Sequence, residues 1–126
     1  MRAVDTNVLV RLLTRDDRAQ TDAADRYVAG GAWVPTLAVA EAAWVLTSVY
    51  ARSANELAAS IRMLLDHEAL TLQDHEAIEA ALDRFAARPS ISFTDALLLE
   101  IARRAGHLPV GTFDRNLAKH DGAQKL

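Results

Sequence analysis

Four carboxylates, Asp5, Glu41, Asp95 and Asp114, are of a type and placement that could do chemistry together. Asp5 follows the first apolar run, inside Ala3-Val-Asp-Thr-Asn-Val8. Aspartate is depleted from strands and costly to bury unpaired, so it serves there either as a helix N-cap or as a ligand. Glu41 is the only charge in Leu37-Ala-Val-Ala-Glu-Ala-Ala-Trp-Val-Leu46. On a helix its neighbours three and four residues away are Leu37, Ala38, Trp44 and Val45. A carboxylate in that setting is paired, bound to a metal, or on an edge facing water. Asp95 lies in the first turn expected after Ser92, where the helix dipole favours an anion. Asp114, in Gly111-Thr-Phe-Asp-Arg-Asn116, also suits an N-cap.

Taken singly, each acid has a structural use. Taken together, they can converge on one edge of a parallel α/β domain, where several anions need protonation or a cation. The chain has no cysteine, so the donors are hard oxygens, which select Mg²⁺ or Mn²⁺ over Zn²⁺. A metal held by carboxylates activates water against a phosphodiester without an amino-acid nucleophile, and no Ser-His or Cys-His arrangement offers one. No GxxxxGK[ST] loop or GxGxxG turn is present, which disfavours nucleotide hydrolysis and dinucleotide binding. The histidines at 67, 75, 107 and 120 lack metal-ligand spacing and are expected at the surface.

Positioning these residues requires alternating strands and helices. Ala3-Val4, Ala32 to Pro35, Leu70 to Leu72 and Pro109-Val110 are apolar strand candidates, and the tail is a candidate edge strand. Helices are expected from Asn7 to Leu13, from the cap at Asp17 to Gly30-Gly31, and from a Thr36 cap to about Tyr50. Further helices follow a Ser53–Glu56 capping box and Asp74, and another runs from Ser92 to Gly106. One helical turn spans Asp114 to Ala118. The alternation predicts an α/β fold, one domain over residues 1–126 with a central parallel sheet flanked by helices. Ligands of such folds bind at the carboxyl ends of the strands.

The net charge of −3 argues against a nucleic-acid coat held by bulk charge. Any RNA contact is therefore local, with Arg11, Arg15 and Arg115 as candidate phosphate contacts or solvated surface groups. Trp33 and Trp44 lie in apolar runs and are expected in the core rather than stacked on bases. Val39, Leu46, Val49 and Tyr50 suit a dimer surface or packing beneath the sheet. No signal peptide or membrane span is visible, and the expected location is the cytoplasm.

The segments at 5–17 (DTNVLVRLLTRDD), 35–46 (PTLAVAEAAWVL), 93–97 (FTDAL) and 112–119 (TFDRNLAK) resemble the PIN-domain ribonucleases, above all the VapC toxins of prokaryotic toxin–antitoxin pairs. The resemblance implies a parallel sheet flanked by helices and Mg²⁺- or Mn²⁺-dependent RNA cleavage. It assigns metal binding to Asp5, Glu41, Asp95 and Asp114, with Asn7 and Thr112 as supporting polar residues. It also implies a homodimer and a cognate antitoxin, with DNA reached only through that antitoxin. Three rival functions share an acidic site: an RNA-processing PIN nuclease that is not a toxin, a metal-dependent phosphatase, and a non-catalytic pocket for a basic peptide. A phosphatase working through a covalent aspartyl intermediate wants a second aspartate two residues after the first, where this chain has Asn7.

Overall fold

Seven helices and five short strands alternate along the chain in the computed structural model, which describes residues 1–126. By contacts the chain divides into two compact units, Met1–His75 and Glu76–Leu126. The fold class is α/β with parallel strands, as the alternation predicts.

The first unit contains β1 (Arg2–Ala3), α1 (Thr6–Thr14), α2 (Arg18–Val28), β2 (Ala32–Val34), α3 (Thr36–Ser48), α4 (Ala54–Asp66) and β3 (Leu70–Leu72). Its strands pair in parallel in the order β1-β2-β3, with Ala3 beside Trp33 and Trp33 beside Thr71. Each crossover carries two helices, and the chain marks their ends with local caps. Asp5 accepts from the Val8 N–H, and Asp17 accepts from the Gln20 N–H. Ser53 and Glu56 close a reciprocal capping box. Leu9, Val10, Leu12 and Leu13 of α1 are buried, as are Val39, Ala42, Ala43 and Leu46 of α3.

The second unit contains α5 (His75–Ala87) from Glu76 onward, α6 (Phe93–Ala105), β4 (Val110–Thr112), α7 (Arg115–Ala118) and β5 (Ala123–Lys125). The strand expected at Pro109-Val110 runs instead from Val110 to Thr112, and the tail pairs with it in parallel. These two strands form a set of their own, separate from β1-β2-β3. Helix α6 begins on Ser92, whose hydroxyl accepts from the Asp95 N–H, and ends on Gly106 in the left-handed region. Phe93 and Phe85 meet edge to face at 6.2 Å between ring centres.

Several local expectations change. Thr36 does not cap α3. Pro35 holds the cap position without a side-chain acceptor, and Thr36 is the first helical residue. The free Thr36 N–H is satisfied from across the sheet by Gln73 Oε1 at 3.0 Å, while its hydroxyl donates to Asp74. Val39 and Leu46 are fully buried and unavailable to a dimer surface, whereas Val49 is exposed. Trp33 and Trp44 are not core residues: Trp33 is partly open and Trp44 is 64% exposed. Of the four histidines expected at the surface, His120 is buried. No helix is long and apolar enough to cross a membrane.

Candidate functional site

A groove of ≈ 500 Å³ opens at the carboxyl ends of β1 and β2, lined by Asp5, Thr6, Asn7, Leu37, Glu41 and neighbouring apolar residues. The topology explains the placement: Asp5 follows β1 across Val4, and Pro35 leads from β2 into α3. Adjacent parallel strands thus deliver the starts of two helices to one rim, where open α/β sheets bind ligands. Helices α1 and α3 pack against each other, which sets Glu41, on the second turn of α3, beside the start of α1.

Two side chains are oriented by bonds within this rim. Asp5 Oδ1 accepts from the Val8 N–H at 3.1 Å, fixing one carboxylate oxygen and leaving the other outside the cap. Thr6 donates its hydroxyl to Glu41 Oε2 at 3.1 Å, a contact spanning 35 residues of sequence. Thr6 lines the groove and holds Glu41, a placement that sequence patterning missed. Its only local signal was adjacency to Asp5, because its partner is brought near by the α1–α3 packing. Glu41 is exposed. The apolar run around it therefore does not bury the charge: of the three readings, the edge facing water holds, with one hydroxyl donating to the acid.

In the second unit, Asp95 lies in the first turn of α6 and is partly buried. Asp114 caps α7, accepting at Oδ1 from the Asn116 and Leu117 N–H groups. Thr112 Oγ1 accepts from the Asp114 N–H at 2.9 Å, so Thr112 steadies the acid through its backbone. Three of the four acids thus meet the structural use foreseen for them at a helix start, and that use does not consume all their oxygens. Within neither unit do three or more His, Asp or Glu side chains gather as a closed metal cage. The structure joins Asp5 and Glu41 in one groove, with Asn7 on its lining.

The donor set of that groove fits a hydrated divalent cation. Mg²⁺ retains several waters and is usually held by one or two carboxylates together with substrate phosphate. Asp5 and Glu41 supply two hard carboxylates, each with an oxygen outside its local hydrogen bond.

The nearby arginines are already engaged. Arg11 donates to Gln20, Asp16 and the Tyr50 hydroxyl. Arg15 makes a two-pronged contact with Asp25 at 2.7 and 3.2 Å. The Arg15 bond holds the Asp25 carboxyl below its ordinary pKa, and hydrogen bonds from Thr14, Tyr50 and Arg11 do the same for Asp16. These guanidiniums brace α1 and α2 and do not point free charge at a substrate. Arg115 is exposed at the start of α7.

A protein-family model for the PIN domain matches residues 2–123, which takes in all four acids. No curated protein and no solved structure matches the chain.

Proposed function

Because the chain belongs to the PIN-domain family, whose members are generally metal-dependent nucleases, we propose that it is an Mg²⁺- or Mn²⁺-dependent endoribonuclease acting as the toxin of a VapBC-type toxin–antitoxin pair. One observation carries the reading: Asp5 and Glu41 share a groove at the strand ends, and Thr6 orients Glu41 within it. A bound divalent cation supplies positive charge to a phosphodiester and a water acidified for attack. Asp5 and Glu41 would hold it through the oxygens left outside their hydrogen bonds. Thr6 aims Glu41 by donating to it. Asn7, exposed on the same lining, offers amide donors to a phosphate or ribose. The resemblance assigns Asp95 and Asp114 to metal binding as well. An anion is favoured at each of those helix starts, and the Thr112 bond supports Asp114.

The test is cleavage of transfer, ribosomal and synthetic RNAs with Mg²⁺, with Mn²⁺ and with EDTA, alongside Glu41→Gln. Cutting that requires metal and disappears in the variant is expected. Cutting that persists in EDTA would sink the metal site, and equal cutting by Glu41→Gln would remove Glu41 from it. The toxin role has its own readout. Expression of the chain without an antitoxin is expected to arrest growth, and expression of Glu41→Gln is not. Normal growth with an active nuclease would favour an RNA-processing enzyme.

A further inference from the structure

Helix α3 presents Leu37, Glu41, Trp44 and Ser48 along one face, at the helical spacing of four, three and four residues. Leu37 is 70% exposed and Trp44 64%. An indole this open is not accounted for by packing within the unit. It stands one turn from the acid of the groove, on the same face. The second unit repeats the association: Phe113, 79% exposed, immediately precedes Asp114. The chain has only seven aromatic residues (two Trp, two Tyr and three Phe). Its two most exposed tryptophan and phenylalanine side chains each adjoin a candidate acid.

We propose that Trp44 is a stacking platform for a base of an unpaired RNA strand whose phosphate lies at the Asp5–Glu41 groove. The inference rests on the nuclease reading and narrows it, since a base can stack on an indole only when it is free of its own duplex. An aromatic face accepts any base, so Trp44 contributes affinity and selects single strand over duplex without reading sequence. The competing occupant is a second copy of this chain. A two-fold contact centred on this stripe would bring Glu41 of each copy against an apolar surface or against its own counterpart, and an unpaired buried carboxylate is costly. A nucleotide on Trp44 leaves Glu41 facing the groove and open to a cation.

The experiment measures binding of a labelled single-stranded RNA and of its base-paired duplex with Ca²⁺ in place of Mg²⁺, so that the groove keeps a hard cation while a weaker Lewis acid slows cutting. It uses the wild type, Trp44→Phe and Trp44→Ala. Cleavage rates with metal and the sedimentation of each protein complete the set. Trp44→Ala is expected to weaken single-strand binding by about tenfold or more, the scale for loss of one stacked base. Trp44→Phe retains most of the affinity, duplex binding is unchanged, and the cleavage defect falls on KM rather than kcat. Equal single-strand affinity of wild type and Trp44→Ala would overturn the proposal. So would a Trp44→Ala protein that turns from dimer to monomer with its RNA affinity intact, which would assign the stripe to a contact between copies. Binding that depends on Trp44 in a chain that cuts no RNA would keep the platform and remove the nuclease reading, so the two fail separately.

Discussion

At the scale of single residues, Asp5 has two tasks that one substitution can separate. Its carboxylate caps α1 through the Val8 N–H and also faces the groove. Asparagine caps a helix about as well as aspartate, whereas alanine loses about 0.5–2 kcal/mol. Asp5→Asn is therefore expected to keep the wild-type Tm while abolishing metal-dependent cleavage. Asp5→Ala should lose both, with thermal melts beside the cleavage assay as the check. An active, fully folded Asp5→Asn protein would take Asp5 out of the site. The acids were legible in the sequence because a charge in an apolar run, or just after one, calls for an explanation. Thr6 was not, because a hydroxyl beside an aspartate has many ordinary uses and its partner is 35 positions away.

At the scale of elements, α5 and α6 are tied by Arg84, which donates to Glu100 at 3.0 Å, with Arg103 at 3.8 Å from the same oxygen. The Glu100 side chain is only 9% exposed. Removing Arg84 leaves the buried Glu100 charge with only the longer, more exposed Arg103 contact, while replacing both Arg84 and Glu100 with apolar groups of similar volume restores a packed surface. Arg84→Met is expected to cost about 3 kcal/mol in urea unfolding, and Arg84→Met with Glu100→Leu to return close to wild type. A double variant as unstable as the single would show that the pair does not act as a unit. Caps made the helix starts at Asp5, Asp17, Ser53 and Ser92 readable, because capping is a local bond between neighbours. The start of α3 was misread, since Gln73 and Asp74 satisfy Thr36 from the turn that follows β3. Helix α3 also hid its orientation: Leu37, Ala38, Val39, Ala42, Ala43, Trp44, Val45 and Leu46 surround it with apolar groups. Periodicity could not tell that Val39 is inside and Trp44 outside.

At the scale of the whole molecule, stability should respond to acid in two stages. Burial, followed by the positive charge of Arg88 and Arg84, pushes the His120 imidazole below its ordinary pKa. The unfolded chain then binds a proton that the folded chain resists. Stability from this group is complete above about pH 6.5 and falls as the pH drops below it. Asp16, Asp25 and Glu56 are held below their ordinary values by hydrogen bonds, led by those from Thr14, from Arg15 and from the Ser53 backbone respectively. Their contribution is lost later, as the pH falls through the carboxylate range. His120→Leu should flatten the first stage of a Tm–pH profile and spare the second. An unchanged slope between pH 6.5 and 5 would contradict this assignment. The α/β class was readable from the alternation of apolar runs. The burial of His120 was not, because no local pattern surrounds it, and neither was the division of five strands into two sets. The capping by Asp5 has a further consequence in genetics. Codons for aspartate and asparagine differ by one base, so a single mutation can silence the chemistry and leave the folded surface intact. A chain altered in that way would accumulate as readily as the active one, so its abundance would say nothing of whether it works.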